Sequence, residues 1–208
     1  MRLTGMAAGV VLVFGTLVVG AAVAAAQEAG VGRVAPFDHL DAPRIALPPD
    51  AGEGPMRELC PDDTETCRKY WEYTGHFVRN ATIPARHREL LILRTAWLSR
   101  GDYIWGRHDV IGKEAGLTAE EIRRVTAGPA ASGWDGFERA LLRAADELHA
   151  SRFISEATWE ALAARYTDEE LREVVLIVGN YTQLAMFQNA LGAQLPPGFE
   201  GLPAAAGR

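Results

Sequence analysis

Apolar residues recur along most of the chain at the spacing of helices, not of strands. In TETCRKYWEYTGHFVRN, Tyr70, Trp71, Phe77 and Val78 fall one or two turns apart. IPARHRELLILRTAWLSR follows, where Pro84 can open a helix because an early position needs no backbone N–H. Leu90, Leu91, Leu93, Ala96, Trp97 and Leu98 then form a stripe so broad that the helix should be buried between neighbours. Asp102 is expected to cap the next helix, which runs to Ala115 and stops at Gly116.

The second half repeats this grammar. LTAEEIRRVTAG reads as a short helix capped by Thr118, with Glu121 completing a capping box and Gly128 ending it. FERALLRAADELHAS is amphipathic, with Phe137, Leu141, Leu142, Ala145 and Leu148 on one side. SEATWEALAARY opens on Ser155 with Thr158, not Glu, at the third position, so its box is only partial. TDEELREVVLIVGNYTQLAMFQNALGAQL is the longest candidate, deeply apolar at Val174–Val178 and ended by Pro196. No period-two pattern occurs, so the expected class is all-α with six to seven helices.

The ends read differently. After Arg2, an uncharged run rich in Ala and Gly reaches Ala26, and the small residues Ala24–Ala26 suit a signal-peptidase site before Gln27. Residues 1–26 are thus expected to be a signal peptide and the protein to be exported, periplasmic or secreted; uncleaved, the run would be the chain's one link to a membrane. Residues 27–58, with recurrent Pro, Gly and Asp, are expected to be an extended arm, 59–195 the helical domain, and 196–208 a flexible tail.

Composition narrows the function. The net charge is −6 and no block of basic residues occurs, which argues against nucleic acid as a partner. The five histidines, His39, His76, His87, His108 and His149, show no metal-ligand spacing, and neither a G-x-S-x-G turn nor a glycine-rich phosphate loop is present. No metal or cofactor is therefore expected. Cys60 and Cys67 are the only cysteines. In an exported chain they should form a structural disulfide, and a redox pair is the sharper alternative. Glu89, a carboxylate inside an apolar helix, either reaches solvent beside Arg86 or Arg88 or pairs internally. Pairing with His108 would orient the imidazole and raise its basicity.

Three segments carry a family resemblance. They are PARHRELLILRTAWLSRGDYIWGRHDVIGKEAGLTAEEI, ALLRAADELHASRFISEATWEAL and LREVVLIVGNYTQLAMFQNALG. Together they resemble the carboxymuconolactone decarboxylase family, which includes the alkylhydroperoxidase D-like proteins. Hydroperoxidase members have Glu, eleven residues, Cys, two residues, Cys, three residues, His. Placing the motif's His on His108 puts its Glu on Glu89 and its two cysteines on Gly101 and Ile104.

The resemblance implies a compact helical unit that assembles into homo-oligomers and acts on a small molecule. It implies two activities, thiol-based peroxide reduction and decarboxylation of a lactone acid. With both motif cysteines absent, acid–base work by Glu89 and His108 on a small organic acid or lactone is the expected reading. A thiol peroxidase using Cys60 and Cys67 is the alternative, and a non-catalytic oligomeric binding protein is the third. Tyr103, Trp105 and Arg107 near the start of the His108 helix, with Tyr181 and Gln183 on the last helix, are candidate pocket residues.

Overall fold

The structure is a computed structural model that describes residues 39–46, 59–61 and 63–203. The expected signal peptide and most of the expected arm lie outside these residues. The described residues form seven α-helices and no strand: α1 (Glu65–Arg79), α2 (Ala85–Leu98), α3 (Asp102–Glu114), α4 (Ala119–Val125), α5 (Gly136–Ser151), α6 (Glu156–Ala163) and α7 (Asp168–Leu191). A 3-10 turn, Gly128–Ala130, joins α4 to α5. The all-α expectation holds.

Helix α2 is the axis of the domain. It packs against α3, α5 and α7 and touches α4. This explains why its apolar residues do not keep to one side: Leu90, Leu91, Ile92, Leu93 and Ala96 are all fully buried. Two charged residues are buried with them, and each has a partner. Arg94 donates to Asp146 on α5 at 2.5 and 3.1 Å and to the carbonyls of Val125 and Thr126 at 2.9 Å, tying three elements together. Glu89 is the other.

Helix starts follow the side chains available. The capping box expected at Thr118 is formed, with Glu121, and equivalent boxes start α5 (Asp135, Glu138) and α7 (Thr167, Glu170). Pro84 starts α2 without a side-chain cap. Glu173 of α7 supplies an acceptor just before it, for the N–H groups of Thr82 and Ile83 at 2.8 and 3.1 Å. Ser155 makes no cap bond and turns to the Glu147 carboxylate at 2.8 Å.

Asp102 differs from expectation. Gly101 occupies the N-cap of α3, and Asp102 lies inside the first turn. Its carboxylate is engaged elsewhere, accepting the backbone N–H of Leu202 at 2.8 Å. The segment after α7 therefore folds back on α3. Gly106 makes room for it: a Cβ there would stand 2.6 Å from Leu195 Cδ1 and 2.9 Å from the Glu200 carbonyl oxygen. Part of the expected arm is placed too, with the Arg44 N–H donating to the Leu191 carbonyl at 2.9 Å and the Gln194 amide donating to the Leu40 carbonyl at 2.9 Å.

Candidate functional site

Glu89 and His108 meet. Their helices, α2 and α3, are joined by a tight turn in which Arg100 takes a left-handed conformation (φ 54°) and the Gly101 N–H returns to the Ala96 carbonyl at 2.8 Å. That turn sets α3 against α2 and brings His108 Nδ1 to 2.6 Å from Glu89 Oε2. Glu89 is fully buried and His108 nearly so. The other carboxylate oxygen accepts from Arg88 Nε at 3.0 Å.

Burial alone would push the Glu89 carboxyl up. The His108 imidazole, through charge and hydrogen bond, and then Arg88 together outweigh burial and hold it below the usual carboxylate range. An ionised carboxylate only accepts, so Nδ1 carries the proton and donates it. In the neutral ring Nε2 is then the basic nitrogen, and the Glu89 contact favours that tautomer. This is the arrangement in which a histidine works as a general base with a carboxylate behind it.

Tyr181 packs against the pair. Its ring stands edge-on to the His108 ring, with centroids 5.0 Å apart and planes at 88°. Burial, with Glu89 nearby, pushes its phenol far up, so it stays protonated.

The positions of the absent motif cysteines are filled with hydrocarbon. Gly101 and Ile104 face each other, both buried. A Cβ on Gly101 would lie 3.1 Å from Ile104 Cδ1 and 3.4 Å from Ala185 Cβ. Ile104 thus occupies one thiol position with hydrocarbon, and a side chain at the other would press on Ile104 and touch Ala185 of α7.

The remaining sequence candidates scatter. Trp105 is buried against Trp97, with ring centroids 6.1 Å apart. Tyr103 is half-buried and Gln183 exposed. Arg107 is exposed and lays its guanidinium 4.9 Å from the Phe199 ring, on the segment that folds back after α7. Cys60 and Cys67 form a disulfide at the start of α1, and the Trp71 indole donates to the Cys60 carbonyl at 2.7 Å. His87 pairs with the Tyr166 hydroxyl at 2.7 Å, apart from the Glu89–His108 pair.

The sequence offered Arg88 only as a neighbour of a solvent-reaching Glu89, whereas it pairs with the buried carboxylate. Sequence reasoning missed Tyr70, Thr74 and Asn180, which line the contact between α1 and α7. Thr74 Oγ1 donates to Asn180 Oδ1 at 3.0 Å across 106 residues of sequence. Spacing carries no signal for so distant a pair. The one available hint was Asn180 itself, a polar side chain in the middle of VVLIVGNYTQLAMF.

Comparison with known proteins agrees with this architecture. Residues 65–147 match the carboxymuconolactone decarboxylase family. A protein from Agrobacterium tumefaciens, connected by name with the antioxidant defence protein AhpD, superposes with a TM-score of 0.58 at 19% identity, over 64% of this chain and 91% of that one. A peroxidase-related protein from Ralstonia eutropha with an alkylhydroperoxidase AhpD core gives 0.61 at 18%, over 69% and 77%. A variant of the debrominase Bmp8, in complex with 2,3,4-tribromopyrrole, gives 0.58 at 13%, over 69% and 82%. No curated protein matches the sequence.

Proposed function

We propose that this chain, a helical domain of the carboxymuconolactone decarboxylase and alkylhydroperoxidase D-like superfamily, is an exported enzyme that performs acid–base chemistry without sulfur at the Glu89–His108 pair. The superfamily supports a peroxidase- or decarboxylase-type function. The fold alone does not choose between them, since it also serves a debrominase.

The observation that carries the choice is the pair itself. The Glu89–His108 contact at 2.6 Å is kept while the two thiol positions beside it are packed with Ile104 and Ala185. Glu89 holds the Nδ1 proton, Arg88 balances the carboxylate's charge, and Nε2 takes a proton from the substrate and returns it. Decarboxylation or isomerisation of a small organic acid or lactone needs that service and no redox partner. Export is supported by the leader-like N-terminus and by the Cys60–Cys67 disulfide, a bond that persists in oxidising compartments. A homo-oligomer is part of the same proposal and rests on the family likeness.

One observation favours the thiol peroxidase alternative. Cys67 stands in the first turn of α1, where a helix N-terminus stabilises a thiolate once the disulfide is reduced.

Turnover of a panel of lactone acids and small keto acids separates the readings. Decarboxylation or solvent-deuterium exchange lost in His108→Ala and Glu89→Gln, and kept in Cys60→Ser/Cys67→Ser, is the expected result. Activity that survives His108→Ala would sink the proposal.

A further inference from the structure

We propose that the outer face of α7 is where two copies of this chain meet, their α7 helices antiparallel and crossing at Gly179. This surface gives the homo-oligomer proposed above a specific contact, and it does not depend on the acid–base reading.

Helix α7 has two faces. The inner one carries Val174, Ile177, Val178, Tyr181 and Ala185 into the core. The outer one carries Val175, Leu176, Gly179, Gln183, Met186 and Ala190, recurring every three or four residues and all exposed. Val175 is 39% exposed, Leu176 45% and Met186 61%. The outer side of a surface helix normally bears charge. Between Arg172 and Leu191 this one bears none. An exposed apolar stripe of that length marks a contact surface.

Gly179 points to a helix as the occupant. It stands at the middle of Asp168–Leu191 and at the centre of the exposed face. Glycine inside a helix costs stability relative to alanine. Packing within the chain does not ask for it, since a Cβ there would meet no described atom within 4 Å. The missing side chain serves an approach from outside, because a glycine at a crossing point lets a second helix backbone come close.

The two ends of α7 select a second copy as that helix. The first turn is acidic, with Asp168, Glu169 and Glu170, and the Asp168 side chain is 90% exposed. Arg172 approaches Asp168 only to 3.9 Å, so most of this charge is unspent. At the other end, the Arg44 N–H donates to the Leu191 carbonyl at 2.9 Å, and Arg44 and Ile45 are both exposed. A two-fold axis through Gly179 lays the acidic start of each helix against the Arg44 end of the other, so the charge match occurs twice. It also opposes the helix dipoles and sets Val175 of one copy against Gln183 of the other. Parallel pairing would instead bring the two acidic turns together. The antiparallel contact backs the helix whose inner face holds Tyr181 against His108.

Sedimentation velocity of the purified protein, run across micromolar concentrations, is the test. The wild type is expected to associate. Leu176→Glu and Gly179→Arg should each raise the dissociation constant about a hundredfold, the effect of placing like charges together in an interface core. Their helical circular dichroism should match that of the wild type, since both positions are exposed. Arg44→Glu and Asp168→Arg should each weaken pairing about tenfold, because the axis repeats every contact, and Arg44→Glu/Asp168→Arg together should restore most of it. Mild oxidation should link Val175→Cys/Gln183→Cys into covalent pairs and leave Val175→Cys alone unlinked. A monomeric wild type would overturn the proposal, including one that binds phospholipid vesicles through this face. So would association untouched by Leu176→Glu and Gly179→Arg, or a charge exchange that restores nothing. Failure here is distinct from failure of the acid–base reading. His108-dependent turnover by a monomer sinks only the interface, and an α7-dependent dimer without His108-dependent turnover sinks only the acid–base reading.

Discussion

Glu89 shows what a single buried charge demands of its surroundings. Its carboxylate is out of water, so its stability depends on His108 and Arg88. Removing the imidazole by His108→Ala leaves a buried carboxylate with one partner, which should cost about 3 kcal/mol, the usual scale for half of a buried pair. The double variant Glu89→Gln/His108→Ala should recover part of that loss in urea unfolding, because the charge goes too. Equal stability of the single variant and the wild type would mean that the pair is not held as described.

Acid stability has a second residue-scale source. Arg86 donates to Glu121 at 2.5 Å and to Glu138 at 2.8 Å. The hydrogen bond from Arg86, helped by Thr118 against the cost of burial, holds the Glu121 carboxyl at about 2, below its ordinary 4.5. A folded value below the unfolded one means that the stabilisation is complete above pH 4.5 and fades as the pH falls toward 2. Glu89, also depressed, acts in the same direction. Unfolding midpoints measured at pH 6 and pH 3 should fall less in Glu121→Gln than in the wild type. An identical fall in both would remove Glu121 from the account.

At the scale of elements, local grammar was largely readable. The Thr-x-x-Glu pattern at Thr118 and Glu121 marked the start of α4, and the structure forms both of its bonds. Asp135 and Glu138 follow the same rule at α5, so Asp135→Ala should cost about 1 kcal/mol in chemical unfolding. A loss under a few tenths would show that packing alone sets that helix end. What sequence could not show is where an element borrows from another. Glu173 supplies the acceptor before α2, and Glu147 takes the hydroxyl of Ser155, in both cases through a partner distant in sequence. Asp102 was misplaced for the same reason. Its acidic side chain suits a cap, yet its partner is Leu202, 100 residues on.

For the molecule as a whole, the fold class followed from periodicity, and the Glu89–His108 contact followed from a family spacing laid over 19 residues. The rest of the site was hidden because it is assembled across the chain. Arg88 is adjacent to Glu89, but its direction is set by packing, and Thr74 meets Asn180 only once α1 lies against α7. The return of residues 195–202 onto α3 was equally hidden. Pro and Gly there read as an end to structure, whereas the contact depends on Gly106 having no side chain.

The central claim is that chemistry at Glu89–His108 runs without sulfur. Peroxide consumption by the purified protein with a dithiol reductant tests it most directly, with Cys60→Ser and His108→Ala measured alongside. The account predicts wild-type consumption no faster than that of Cys60→Ser or of buffer with reductant. Rapid turnover that disappears in Cys60→Ser would contradict it, and would place the reaction at the Cys60–Cys67 disulfide.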